Sequence, residues 1–332
     1  MSKTFQKLSV IKKTSNFREA VKVVSVPLVA PGDDQVLIKN IYAGVNATDV
    51  NVTASRYNPN AELPFDVGLE GLGVIEAVGK NVTTHKVGQN VMTFDVNLGV
   101  NPPRAYSEYL YVKPEEVIPI PSLKPEFLGL LIAGLTAAIG LDEVLITLGR
   151  IQKGDKVLIT ASAGGTGHIG IQWAKQKGAY VIGLTSSEDK AKLLKELGTD
   201  RVINYKTENL DEVLTKEFPN GVDVVWETIG GQVFETLLNH LVPKGRLIIV
   251  GSISGYKSER ITSPTIENLN FKVGSKTLSG FCLPDYKDLY AKYLKQLIGD
   301  VVNNKLRVVL DLGQNTSEGE FTGIDSVVRG VE

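Results

Sequence analysis

The sequence predicts an α/β protein in which a doubly wound parallel sheet is inserted into a β-rich, barrel-like domain. Three observations carry this. From residue 156 onward, apolar strand-like runs alternate with helical runs. Up to residue 112, short strands are strung instead between Pro, Gly, Asn and Asp. A last strand-like piece, Arg307–Leu312, then reads as a return to the first domain. The expected divisions are 1–122 for the first part of the β-rich domain, 123–296 for the parallel-sheet domain and 297–332 for the return.

Taken in order, Val21–Val26, Val36–Ile41 and Gly73–Val78 gather β-branched residues between turn formers, and "VGQNVMTF" and "AYSEYLYV" continue the pattern. "PEFLGLLIAGLTAAIGLDEVL" is helical in pattern. Lys156–Thr160 is then a buried strand, Thr166–Lys177 a helix, "AYVIGLT" a strand, Glu188–Leu197 a helix closed by Gly198, and "RVINY" a strand. "ENLDEVLTKEF" and "GQVFETLLNHL" are helices on either side of the strand "GVDVVWET", and "GRLIIVGS" is the strand that follows. A helix over "DYKDLYAKYLKQLIGDVVNNK" leads to the last piece, "RVVLDL". Each crossover helix carries the chain back to the same end of the sheet, so the strands pair in parallel.

Composition narrows the function classes. The chain has 332 residues, 42% hydrophobic and 22% charged, with a formal net charge of −1. Lys and Arg never run beyond two in a row, so the basic stripe that tracks nucleic acid or an anionic membrane surface is missing. Cys282 is the single cysteine, which excludes an internal disulfide and a four-cysteine zinc knuckle. His85, His168 and His240 are scattered, and surface or structural roles are expected for them. The start "MSKTFQKLSVIKK" lacks the apolar centre of a signal peptide, and no apolar run approaches the length of a membrane span, so a cytoplasmic location is expected.

The chemistry concentrates in "ITASAGGTGHIG", residues 159–170, after a strand and at the mouth of a helix. Ala161-x-x-Gly164-x-x-Gly167 lets the backbone turn tightly and approach a pyrophosphate. The N–H groups around Gly164, Gly165, Thr166 and Gly167 would meet its negative charge. The alternative is a flexible strand–helix connector. An NAD site would place a carboxylate at the end of the second strand, about twenty residues on. This chain offers "GLTSSEDK" there, and the hydroxyl of Ser186 with the charge of Lys190 suits the 2′-phosphate of NADPH. Ser186 and Asp189 could equally form a capping box, with Lys190 a solvated helix residue.

The segments "GVNATDVNVTASRYNPNAELPFDVGLEGLG", "AGLTAAIGL", "ASAGGTGHIG", "TSSEDKAKLLKELGTDRVINYKTE", "GVDVVWETIGG" and "KGRLIIVGSISGY" together resemble the medium-chain dehydrogenase/reductase superfamily. The likeness is to its zinc-free quinone oxidoreductase and prostaglandin reductase branch, and "SGFCL" and "EGEFTGIDSVVRGVE" extend it towards the end. The resemblance implies a GroES-like domain with an inserted Rossmann domain and a site in the cleft between them. The zinc members carry a Cys at the position of Asn46 and a His at that of Leu69. An amide and an aliphatic side chain cannot complete a catalytic zinc set, so metal-free chemistry is expected.

That chemistry, as the resemblance implies it, is NADPH-dependent hydride transfer to α,β-unsaturated ketones, oxo-prostaglandins among them, or to quinones. A hydrogen-bond donor must then face the oxygen of the nascent enolate. Tyr256 in "SISGY" matches the tyrosine of the reductases' "ISxY" motif, although a Tyr after Gly can also be an exposed turn residue. Tyr57 in "SRYNP" matches an active-site aromatic of quinone reductases, and Asn46 would anchor the nicotinamide end or simply cap a turn. Further cofactor contacts carry over to Tyr205, Thr228, Val250, Gly251, Ser252, Phe281, Cys282 and Leu283. A small-molecule substrate and a homodimer paired through "KTLSGFCL" are implied as partners. An NADPH-binding structural or regulatory protein with little turnover is the rival reading. The sequence departs from the pattern in two ways. Pro284 replaces a more usual polar residue, so substrate preference need not follow the relatives. The family's last strand, behind a "GKNxGK"-like loop with a cofactor-touching Asn, has no counterpart before the final "VVRGVE".

Overall fold

A computed structural model describes residues 3–94, 104–143, 151–256, 275–314 and 316–332. Contacts divide the chain into two units, Met1–Ile132 with Leu310–Glu332, and Ala133–Val309.

In the first unit, β1 (Thr4–Val10) pairs antiparallel with β2 (Val21–Pro27), Thr4 opposite Pro27 and Val10 opposite Val21. The short helix α1 (Phe17–Ala20) joins them, and Asn16 caps it by accepting from the N–H of Glu19. β3 (Val36–Gly44) is followed by α2 (Asp49–Thr53), β4 (Phe65–Asp66), β5 (Glu70–Val78), β6 (Asn90–Phe94), β7 (Tyr109–Val112) and β8 (Ile118–Pro119). They form a three-stranded sheet, β2-β1-β4, and a five-stranded sheet, β7-β3-β5-β6-β8. Val36, Ile38, Ile75, Val91, Leu110 and Val112 project from the second sheet into one apolar cluster. Burying each such side chain stabilises the unit by about 1.5–3 kcal/mol.

The second unit holds most of α3 (Ile132–Asp142), then alternates β9 (Lys156–Ile159), α4 (Gly165–Gln176), β10 (Tyr180–Thr185), α5 (Glu188–Glu196), β11 (Arg201–Asn204), α6 (Leu210–Glu217), β12 (Val222–Glu227), α7 (Gly231–Asn239) and β13 (Leu241–Ile249). β14 (Thr277–Gly280) and α8 (Tyr290–Val302) follow, and α9 (Val327–Val331) lies back in the first unit. The six strands are all parallel, in the order β11-β10-β9-β12-β13-β14. Leu158, Ile182, Ile203, Val225 and Leu247 from the sheet pack with Leu214 and Leu237 from α6 and α7. One run among the described residues, Pro125–Asp142, is long and apolar enough by composition to cross a membrane, yet 67% of it is buried inside the fold.

The structure corrects three sequence expectations. Arg307–Leu312 is not a strand: α4 side chains occupy its backbone, Gln172 bonding both N–H and C=O of Arg307 and His168 accepting the Val309 N–H. β13 begins at Leu241 rather than Gly245, with a register shift against β12 between Val222 and Val224. β6 begins at Asn90, because Gly88 turns the chain at φ 83°.

Candidate functional site

Because the sheet of the second unit is parallel, all its strands end at one edge, and nearly every predicted cofactor residue lies on that edge. β9 is the switch point: the chain winds to β10 and β11 on one side and to β12, β13 and β14 on the other. Ligands of open α/β sheets bind at this place. The glycine loop follows β9, Ser186 and Lys190 follow β10, and Tyr205 follows β11. In the other direction Thr228 follows β12, Val250, Gly251, Ser252 and Tyr256 follow β13, and Phe281, Cys282 and Leu283 follow β14.

The loop after β9 is shaped by its own backbone. Ala161 adopts φ 45°, and its carbonyl accepts the N–H of Gly164 at 2.8 Å. A Cβ on Gly167 would stand 2.6 Å from that carbonyl oxygen and 2.7 Å from Cα of Ser162. Gly167 is therefore required by the turn itself. Gly164 caps α4 in an extended conformation and has no side chain to accept from the first-turn N–H groups. Gly164 and Gly165 are exposed, Thr166 is half-buried, and among the described residues a Cβ on Gly165 would meet only Cβ of Ala133 at 3.6 Å. An exposed, uncapped helix start facing open space fits an anion.

Beyond β10, the cap of α5 is Ser187, not Ser186: Ser187 is extended, and its hydroxyl accepts from Lys190 N at 3.4 Å. The expected capping box at Ser186 is thereby overturned, and Ser186 sits one residue before that cap, half-buried. Lys190 is exposed on the first turn. The N–H of Tyr205 bonds the carbonyl of Thr185, and Lys206 stands 5.7 Å above the Tyr205 ring. The Thr185 hydroxyl at this strand end is buried and has no hydrogen-bond partner.

On the other side, Glu227 closes β12 fully buried, accepting the N–H groups of Ile229 and Gly230 at 2.8 and 3.0 Å. Burial pushes its carboxyl above the usual range, and these backbone bonds pull it back. The Thr228 hydroxyl meets that of buried Thr160 at 3.0 Å. N–H groups of Ile253 and Ser254 bond the carbonyls of Thr228 and Ile229, fastening the loops after β12 and β13 together. The Tyr256 hydroxyl returns onto Gly251, where a Cβ would lie 2.7 Å from it. Phe281 lies between Trp226 and Tyr286, Cys282 is exposed, and Leu283 is buried with its carbonyl accepting from Tyr290.

In the first unit Asn46 belongs to a buried polar cluster that sequence reasoning missed. Its Nδ2 donates to Glu70 Oε1 at 2.9 Å and its backbone N–H to Asp49 Oδ2 at 2.7 Å. The Tyr106 hydroxyl donates to the same Asp49 oxygen at 2.6 Å, and Glu70 Oε2 accepts the N–H of Ile132. Burial raises both Asp49 and Glu70 to about 7, although these hydrogen bonds pull them down. Gly44 leaves the room Glu70 needs, since a Cβ there would fall 2.2 Å from its Oε1. Tyr57 is 41% exposed, and its hydroxyl is paired with that of Thr48. The one available signal was an acidic residue in each of two apolar contexts, "ATDVNV" and "GLEGLG".

Residues 32–122 match the family description "Alcohol dehydrogenase GroES-like domain" and residues 165–298 match "Zinc-binding dehydrogenase". Prostaglandin reductase-3 of Mus musculus is 40% identical over 335 residues, covering 99% of this chain and 86% of that protein. The quinone oxidoreductase structure from Pseudomonas syringae superposes with a TM-score of 0.80 at 27% identity, covering 98% of this chain and 95% of the other. That of Escherichia coli quinone oxidoreductase complexed with NADPH gives 0.77 at 25%, covering 93% and 91%. The donor set does not fit the zinc in the second description: Asn46 and Leu69 offer no thiolate or imidazole, and no three of His, Cys, Asp or Glu converge among the described residues. The imidazole of His240, for one, is 2.7 Å from the carboxylate of Asp211. The chain belongs to the medium-chain dehydrogenase/reductase superfamily, in its quinone oxidoreductase and prostaglandin reductase branch.

Proposed function

We propose that this chain is an NADPH-dependent reductase of α,β-unsaturated ketones and quinones, working without zinc. The observation that carries it is the order of groups along one sheet edge: hydroxyl and cation beyond β10, the bare glycine loop at β9, and Thr228, Gly251 and Tyr256 beyond β12 and β13. That is the order of an adenosine 2′-phosphate, a pyrophosphate and a nicotinamide. A quinone is itself a doubly conjugated enone, so one arrangement of donors serves both substrate classes.

Bound there, NADPH supplies a hydride to the electrophilic β-carbon of the conjugated carbonyl. The chain's residues orient and stabilise. Ser186, Lys190 and Tyr205 hold the 2′-phosphate, and the exposed N–H groups at Gly164–Gly167 hold the pyrophosphate. Tyr256 donates a hydrogen bond to the carbonyl oxygen as negative charge gathers on it. Asn46 anchors the nicotinamide end: Glu70 takes its Nδ2, which leaves Oδ1 as the acceptor for a ligand hydroxyl or amide. Tyr57 walls the substrate. Phe281–Leu283 run past the carboxamide. Solvent returns the proton to the α-carbon.

The test is NADPH oxidation followed with a panel of small enones and quinones. Oxidation that requires substrate supports the reading, and tight NADPH binding with no turnover on any member refutes it. A homodimer is part of the same proposal. Among the described residues β14 is the terminal strand of its sheet, which offers an edge strand to pair with a second copy. Sedimentation of a monomer at micromolar concentration would refute that part.

A further inference from the structure

Buried His168 makes a bond that the chemistry proposed above leaves unexplained. It lies one turn into α4 and is 2% exposed. Its Nδ1 is 2.9 Å from the carbonyl oxygen of Gly164, and its Nε2 is 3.1 Å from the backbone nitrogen of Val309. A backbone N–H can only donate, so Nε2 is the acceptor. The ring proton must then sit on Nδ1 and point at Gly164. Burial lowers the imidazole pKa and keeps this neutral form. The same Gly164 oxygen also accepts the main-chain N–H of His168 at 3.1 Å, so one residue occupies both of its lone pairs.

A trans peptide is planar, with C=O and N–H pointing in opposite directions. Pinning the carbonyl of Gly164 into the helix therefore aims the N–H of Gly165 away from it, at the open space before α4. Neither of these two exposed glycines has a side chain to restrict rotation of this peptide plane, so beside the main-chain bond to the same oxygen the His168 ring is the side-chain restraint on it among the described residues. Val309 in turn fixes the tautomer that makes the lock possible. Gln172, one turn further on, bonds Arg307 through both ends of its amide and keeps that segment against the helix.

We propose that His168 is a positioning residue for the cofactor pyrophosphate, locking the Gly164–Gly165 peptide so that its N–H faces the bound anion. This rests on the NADPH reading above. Three variants divide the ring's two bonds. His168→Phe keeps a ring and loses both bonds. His168→Gln retains only an acceptor that reaches Val309. His168→Asn puts an amide N–H where Nδ1 stands and restores the bond to Gly164. Two ligands separate the ends of the site: NADPH, and adenosine 2′-monophosphate, which has no pyrophosphate.

Titrations of the full chain should show NADPH bound about tenfold more weakly by His168→Phe and His168→Gln, and His168→Asn returning most of that loss. Adenosine 2′-monophosphate should bind all three as it binds the parent. Equal weakening of both ligands, or no recovery in His168→Asn, would overturn the proposal and leave His168 a packing residue. Should His168→Phe not fold, the comparison of Gln with Asn decides alone. A parent chain that binds adenosine 2′-monophosphate but not NADPH would instead overturn the reading of the loop on which the proposal rests.

Discussion

One methyl group added at Gly165 and, separately, at Gly167 divides what the glycine loop does for the fold from what it does for a ligand. At Gly167 the new Cβ would lie 2.6 Å from the oxygen of Ala161 and 2.7 Å from Cα of Ser162, both main-chain atoms that cannot swing aside. Overpacking of this kind costs about 1–3 kcal/mol. Gly167→Ala should lower the urea midpoint of the free protein accordingly. At Gly165 the only neighbour among the described residues is Cβ of Ala133 at 3.6 Å, an ordinary contact. Replacing a helical glycine with alanine removes backbone entropy from the unfolded chain, which is worth about 0.5–1 kcal/mol in the folded protein's favour. Gly165→Ala should therefore be as stable as the parent or slightly more so. Yet the methyl projects where the pyrophosphate is proposed to lie, and crowding there by about 1–3 kcal/mol weakens NADPH about 5- to 150-fold. The assay is denaturant unfolding with and without NADPH, alongside direct titration. A Gly165→Ala protein that binds NADPH as tightly as the parent would refute the placement of a phosphate on this loop.

Three further outcomes follow from the same geometry. Tyr256→Phe should reduce turnover of an enone by about 10- to 100-fold while NADPH affinity holds, measured as kcat and Kd separately; an unchanged kcat removes Tyr256 from the chemistry. Lys190→Ala should weaken NADPH about tenfold more than NADH, since only NADPH carries the extra phosphate; equal losses would show that Lys190 is merely solvated. Asp49 is raised by burial to about 7 in the folded protein from an ordinary value of 3.8, so folding keeps a proton that the unfolded chain loses. The stability this gives is complete below about pH 4 and is lost as pH rises through about 7, a change on the order of 4 kcal/mol. Asp49→Asn keeps an oxygen for Tyr106 and Asn46 and removes the charge, so it should be about as stable as the parent at about pH 4 and more stable at about pH 8. A difference that does not change with pH would contradict the protonated Asp49.

What was legible in the sequence is what is local. Strands β9 to β13 announce themselves as apolar runs between turn formers, and the glycine loop is readable because its work is done by its own backbone. "RVVLDL" shows the limit: Val308, Val309 and Leu310 have strand composition, but the partners of this segment are His168 and Gln172, 141 and 135 residues away. No local pattern says that a helix's side chains will stand in for a strand. Ser186 and Ser187 are equally good caps on paper, and only the extended backbone at Ser187 decides between them. Strand β1 is not legible as a strand, because Phe5, Leu8 and Val10 do not alternate cleanly. The cluster of Asn46, Asp49, Glu70 and Tyr106 is assembled from three separate segments. Its acidic members looked unremarkable until their burial was known.

NADPH carrying deuterium at its transferable position, turned over with a small enone, tests the account most directly. The reduced product should carry one deuterium, on the β-carbon, and an unlabelled proton on the α-carbon. Product labelled at any other carbon, or cofactor that stays bound and unoxidised beside every enone and quinone offered, would contradict it.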